Sequence, residues 1–159
     1  MKNIVFNGGL EVNFLQEGKD TNYEISIFKC IMPSGVRTPM PHYHAGFDET
    51  VKGLKGVITW TVGEKTTDVG PGDSVFIPRG VIHSFANKTG ETVEFVCEIR
   101  PGTFGAEYFE EIATVLNTKG IPDFKELKNI MRSHGLVPVL GLKRQLIFGI
   151  LDIIRKLKG

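Results

Sequence analysis

Between Pro41 and Gly56 the chain reads PHYHAGFDETVKGLKG, which sets His42 and His44 one residue apart, Glu49 five positions after the second histidine, and a glycine at the close. On a β-strand, residues two apart share a face, so the two imidazoles project toward one point, as a bound cation requires. The five-residue offset would put Glu49 on the opposite face of an uninterrupted strand. The chain therefore has to bend between them, and Ala45-Gly46 is where a glycine makes a bend easy. A further ligand is expected from a distant strand. His83 qualifies, because it follows GDSVFIPRGVI, in which Pro78-Arg79-Gly80 is a turn signal. Three neutral imidazoles and one carboxylate suit a divalent ion, with positions left open for another molecule. Taken singly, each histidine is more often a hydrogen-bonded or solvated side chain than a ligand, so the joint spacing carries the reading.

Outward from this stretch, residues 9 to 101 break into short β-like runs separated by glycine, proline and polar residues: EVNFLQ, NYEISIFKCIMP, TVKGLKGVITWTVG, KTTDVGPG, DSVFIPRG, VIHSFANKTG and ETVEFVCEIRPG. Such spacing predicts an antiparallel sandwich or barrel rather than βαβ units. In VITWTVG, Ile58, Trp60 and Val62 alternate with Val57, Thr59 and Thr61, which suits a strand with one drier face. After Gly102 the period changes to that of helices. AEYFEEIATVLNTKG is expected to end on Gly120 as a C′ glycine, and PDFKELKNIMRSHG to start on Asp123 and Glu126 in capping-box spacing and stop at Gly135. A third helix, LKRQLIFGILDIIRKLKG, carries an apolar stripe with basic residues outside it. The expected organisation is a β domain over residues 1–101 and a helical extension over 102–159.

One domain is what 159 residues with 41% hydrophobic content allow. The net charge of +1 argues against a nucleic-acid binder that works by neutralising many phosphates. Without a signal-peptide-like start or a run of roughly 20 apolar residues, the expected compartment is the cytosol. Cys30 and Cys97 lack CxxC spacing and read as small core residues.

Two motifs carry a resemblance. His42-Tyr-His44, four residues, Glu49, six residues, Gly56 resembles the first cupin motif, and Gly72, five residues, Pro78, one, Gly80, two, His83, three, Asn87 resembles the second. The chain departs from the pattern where a glycine is expected five residues before the first histidine: Gly35 stands with six residues between. The likeness covers about residues 10–101, and the tail is similar to that of small single-domain bacterial cupins often called quercetin-dioxygenase-like. The resemblance implies an all-β jelly-roll barrel with a C-terminal helical extension, holding Fe, Mn, Ni or Zn through His42, His44, Glu49 and His83, and pairing as a homodimer. Cupins include oxygenases, decarboxylases, isomerases, storage proteins and sensory domains, so the fold selects no single activity.

The substrate pocket is expected to use Tyr43, Phe47, Trp60, Phe76, Phe85 and Phe95 as an apolar wall, with Arg79 meeting an anionic group at the mouth. Asp48 is read either as an acceptor that orients a ligand histidine or as a solvated loop acid. Asn87 is expected to satisfy backbone groups at a turn, and His134 to sit as a cation at a helix C-terminus. The function expected is a metal-dependent oxygenase acting on a small aromatic or enolic molecule, with Glu49 as ligand and proton acceptor. The alternatives are a non-catalytic or sensory small-molecule binder and a metal-dependent isomerase or lyase. For residues 141–159 the reading is packing on the barrel or a partner subunit, with contact to an anionic membrane surface as the alternative.

Overall fold

The computed structural model describes residues 2–38 and 40–158; Met1, Pro39 and Gly159 lie outside it, as do the side chains of Arg144 and Lys158. Among the described residues the strands are β1 (Asn3–Val5), β2 (Glu11–Gln16), β3 (Ser26–Met32), β4 (His42–His44), β5 (Asp48–Lys55), β6 (Ile58–Val62), β7 (Lys65–Val69), β8 (Ser74–Ile77), β9 (His83–Ala86), β10 (Val93–Arg100) and β11 (Leu136–Pro138). The helices are α1 (Ala106–Leu116), α2 (Phe124–Ser133) and α3 (Leu142–Lys158). A six-stranded sheet has the order β1-β2-β3-β10-β5-β8 and a five-stranded one the order β11-β4-β9-β6-β7.

The strands follow the period of two. On β3 every second residue, Ser26, Phe28, Cys30 and Met32, is buried, and on β10 so are Val93, Phe95, Cys97 and Ile99. The two strands pair antiparallel with Phe95 opposite Cys30 and Cys97 opposite Phe28, so both put their apolar face into one interior. The second sheet answers with Ile58 and Trp60. Trp60, 1% exposed, packs on Phe85 at 4.7 Å within its own sheet and edge-on to Phe95 of the other at 6.0 Å.

Residues beyond the strands join the same core. In α1, Phe109 sits 5.1 Å from Phe28 and 5.9 Å from Phe14, and Ile112, Ala113 and Val115 are buried. This helix covers one end of the sandwich. It stops at Leu116 with Asn117 as its C-cap, so Gly120 is not the C′ residue expected. Asn117 instead ties the helix end to β1, its side chain accepting from the Asn7 backbone N–H at 2.6 Å and donating to the Val5 carbonyl at 3.0 Å. Asp123 caps α2 as expected, accepting from the N–H groups of Lys125 and Glu126 at 3.0 and 3.1 Å. Gly135 follows α2 at φ +79°.

The structure adds two features to the tail. The segment 102–159 is not purely helical, because β11 adds an edge strand to the second sheet, with Leu136 opposite His44 and Pro138 opposite His42. And the apolar stripe of α3 does not pack on the barrel. The helix leans on α2 through Phe148, stacked on Phe124 at 4.2 Å, and through Arg155, 2.6 Å from Asp123. Leu142, Leu146, Ile147, Ile150, Ile153 and Leu157 all remain exposed, Leu142 by 80% and Leu157 by 81%.

Candidate metal centre

β4 and β9 are neighbours in the second sheet, with His42 directly opposite His83. His42 and His44, two apart on β4, are both buried and turn to the same side. After His44 the chain bends through Ala45-Gly46 and crosses to the other sheet, where β5 starts at Asp48 and delivers Glu49 from across the interior. The turn before β9 uses Gly80 at φ +78°, a conformation that an L side chain rarely adopts. The Gly80 N–H then donates to the His44 carbonyl at 2.8 Å, which ties the His83 loop to β4.

The three imidazoles each offer a nitrogen, and these nitrogens all lie within 4.8 Å of one another. His42 Nδ1 lies 3.0 Å from the Met40 carbonyl and His83 Nδ1 3.0 Å from the Val81 carbonyl. A carbonyl only accepts, so each Nδ1 carries the proton and each Nε2 keeps its lone pair for a ligand. His44 Nδ1 is buried and has no hydrogen-bond partner among the described residues. Glu49 Oε2 stands 3.7 Å from His44 Nε2 and 3.9 Å from His83 Nε2.

Burial sets the protonation states. It lowers His42 to about 4, helped by the neighbouring His83 and opposed by the Met40 carbonyl. It lowers His44 to about 2, with His83 and His42 adding to the effect. His83 is also lowered by burial, against the pull of the Val81 carbonyl. Burial pushes Glu49 up to about 7, while the Cys97 thiol, hydrogen-bonded to it, pulls it down. The imidazoles are neutral at physiological pH, so their contacts with Glu49 are not ion pairs. A cluster of buried neutral imidazoles with lone pairs free beside a carboxylate fits a divalent first-row ion.

The site opens on an apolar cavity of about 130 Å³, lined by His42, His44, Phe47, Trp60, Phe85, Phe95 and Cys97 from the barrel. Phe104, Tyr108, Phe109, Ile112 and Leu116 from the α1 region, with Phe6 and Leu10 near the start of the chain, close its other side. The Trp60 indole N–H is buried without an acceptor among the described residues. Burial pushes the Tyr108 phenol up.

Residues 28–99 match the Cupin domain family. The barrel of this chain is a cupin domain. It is similar to a cupin 2 conserved barrel domain protein from Rhodopseudomonas palustris, with 26% identity and a TM-score of 0.51, over 58% of this chain and 61% of that one. It shares its fold with a predicted oxalate decarboxylase from Thermotoga maritima, with 22% identity and a TM-score of 0.56, over 62% of this chain and 90% of that one. Over 86 residues it is 35% identical to the oxidoreductase OpS7 of Beauveria bassiana strain ARSEF 2860, which is half of this chain but 28% of that relative's length.

The cupin motif brings His42, His44, Glu49 and His83 together. Its closing glycine, Gly56, has φ +66°, and a Cβ there would meet Val93 Cγ1 at 2.8 Å. The residues chosen for the pocket divide. Phe47, Trp60, Phe85 and Phe95 line the cavity, and Tyr43, Phe76 and Arg79 do not. Tyr43 stands between two inward histidines and so faces the other side of β4. Phe76 is 58% exposed because Ile77, its neighbour on β8, takes the inward position. Arg79 is occupied at the surface: its Nε and Nη2 donate to Asp48 at 3.1 and 2.8 Å, and its Nη1 donates to the Gly46 carbonyl at 3.2 Å. Asp48 consequently orients no histidine. Asn87 binds backbone as expected, donating to the Met32 and Glu91 carbonyls at 3.0 and 2.7 Å, and His134 pairs with Glu111 at the end of α2. Sequence reasoning missed the α1 residues. Their helical spacing was visible, but nothing local says which face meets a cavity.

Proposed function

We propose that this cupin binds a divalent metal ion through His42, His44, His83 and Glu49 and acts as a metal-dependent oxygenase on a small enol or phenol of about one ring. The observation that carries the reading is the cluster of neutral buried imidazoles opening on an apolar cavity. Two of them are already fixed in the tautomer a metal needs. The oxidoreductase name of a relative 35% identical over half of this chain supports redox chemistry.

Size limits the substrate. An apolar cavity of roughly 150 Å³ accepts a benzene-sized molecule, so about 130 Å³ suits one ring and excludes a three-ring flavonol without rearrangement. Chemistry limits it too. The apolar wall favours a hydrocarbon body, and the unpartnered Trp60 N–H calls for one acceptor oxygen on it. When bound, a divalent ion supplies Lewis acidity toward substrate oxygens and, if redox-active, electron exchange with dioxygen. The chain's own part is to hold the ring between Phe47, Trp60, Phe85 and Phe95, to hydrogen-bond its oxygen from Trp60, and to exclude water. Glu49, beside His44 and His83, accepts the enol or phenol proton at its carboxylate.

Oxygen uptake by protein loaded separately with Fe(II), Mn(II) or Ni(II), against a panel of single-ring enols, catechols and 1,3-diones, tests the proposal. Turnover with at least one pair is expected. Binding of panel members with confirmed metal loading but neither oxygen uptake nor product would favour the non-catalytic reading, and product without oxygen uptake would favour an isomerase or lyase.

A further inference from the structure

We infer that α3 is an interfacial helix that seats this cupin on anionic phospholipid membranes, lying in the plane of the bilayer surface. The inference is independent of the metal centre. From Leu142 to Leu157 the apolar stripe runs for about 22 Å at the ordinary helical rise, and Leu142, Leu146, Ile147, Ile150, Ile153 and Leu157 are all exposed along it. So long an uncovered row of large aliphatic side chains marks a contact surface. The opposite side of the helix is already committed to α2 through Phe148 on Phe124 and Arg155 on Asp123. The stripe therefore cannot turn inward without breaking those contacts.

Charge identifies what covers it. Residues 141–159 hold five of the chain's nineteen lysines and arginines and one of its eighteen acids, so this segment carries +4 and the rest of the chain −3. At 100° per residue, Lys143 falls within the stripe between Ile150 and Ile147, Lys156 borders it beyond Leu142, and both are exposed. The helix's single acid, Asp152, lies away from the stripe beside Arg155, 3.9 Å from its Nε. Among the described residues of α3 no carboxylate faces outward with the stripe. Apolar side chains entering the acyl region while nearby lysines reach back to lipid phosphates is the pattern of a helix that lies on a membrane. No helix among the described residues is long and apolar enough to cross one.

A second copy fits less well. A two-fold interface sets the same patch against itself. A two-fold pair of these segments would set +4 against +4, with one acid in each copy to offset five basic residues, and such like-charge juxtaposition is unfavourable. An anionic lipid surface supplies the missing negative charge.

Full-length protein is sedimented with vesicles of phosphatidylcholine alone and of phosphatidylcholine with one quarter phosphatidylglycerol, at low and high salt, and its mass in solution is measured by light scattering. The expected result is binding to the anionic vesicles, at least about tenfold weaker on neutral vesicles, as a lost lysine contact or two predicts, and weakened by salt. Ile150→Glu, in the stripe, and the pair Lys143→Glu with Lys156→Glu, which removes the exposed lysines in and beside it, should each abolish that binding while helix content and mass stay unchanged. Failure to bind anionic vesicles, or equal and salt-insensitive binding to neutral ones, would overturn the inference. So would a dimer in light scattering that Ile150→Glu converts to monomer, since the stripe would then be an interface between copies.

Discussion

His42 and His83 face each other across the pairing of β4 and β9, ring centroids 4.5 Å apart, and each has its Nδ1 held 3.0 Å from the carbonyl of the residue two positions earlier, Met40 and Val81. The same short-range device thus fixes the tautomer of both rings. It needs nothing from the rest of the fold beyond the local path of the chain. What the fold adds is the convergence of the two Nε2 atoms.

Replacing one of the pair should therefore remove metal without removing structure. His83→Ala is expected to weaken metal binding by more than the roughly 10- to 100-fold that loss of an outer hydrogen-bond partner costs. Elemental analysis of protein purified without chelator reads the loss, and circular dichroism checks the fold. Undiminished metal content in His83→Ala would sink the proposed centre.

The buried titratable groups make a prediction about metal-free protein. The folded His42 titrates at about 4 instead of 6.5, so between those values the unfolded chain binds a proton that the folded one does not, and stability falls as pH falls through this window. Glu49 has the opposite sign. Its folded value of about 7 instead of 4.5 means that the folded chain holds the extra proton, so its contribution is lost as pH rises from 4.5 to 7. With His44 and His83 lowered as well, the histidines prevail, and the apoprotein should lose stability between pH 6.5 and 4.5. Glu49→Gln removes the opposing contribution and should gain about 3 kcal/mol over wild type at pH 8, given about 1.4 kcal/mol per pH unit. Denaturant midpoints across this range check it, and a gain that persists undiminished at pH 5 would contradict the argument.

Trp60→Phe tests the indole donor. Its N–H has no acceptor among the described residues, so removing it relieves an unsatisfied group while leaving most of the ring's packing. Stability should change by no more than about 1 kcal/mol. Affinity for a single-ring phenol should fall by roughly tenfold, and affinity for the same ring without oxygen should not. Titration calorimetry with phenol and benzene analogues separates the two.

Asn87 should prove structural. Its side chain also accepts from the backbone N–H and hydroxyl of Thr89, at 3.0 and 2.7 Å. Asn87→Ala strands several buried groups and is expected to cost roughly 3 kcal/mol, seen as a lower midpoint in urea with unchanged metal stoichiometry.

The features legible in the sequence were those set by short-range geometry. The i, i+2 spacing of His42 and His44 puts both on one face, the Pro78-Arg79-Gly80 turn precedes His83, and Asp123 caps its helix. Features that depend on register or partner choice were not legible. Phe76 and Ile77 are adjacent and both apolar, so the sequence cannot say which faces inward, and a shift of one residue exchanges them. A carboxylate next to a metal ligand invites a role at the metal, but Asp48 found Arg79, thirty-one residues away, through a turn. LVP at 136–138 is too short, and too marked by its proline, to read as a strand, yet an edge position tolerates it.

That edge position governs how the molecule can be trimmed. β11 is brought back by the chain after two helices, and it covers the outer side of the strand that carries His42 and His44. A minimal barrel cut after the last long strand would lose more than an appendage. It would bare the backbone of the histidine strand to solvent and take away the aromatic floor that α1 lays beneath the cavity, so the tail belongs to the cup itself.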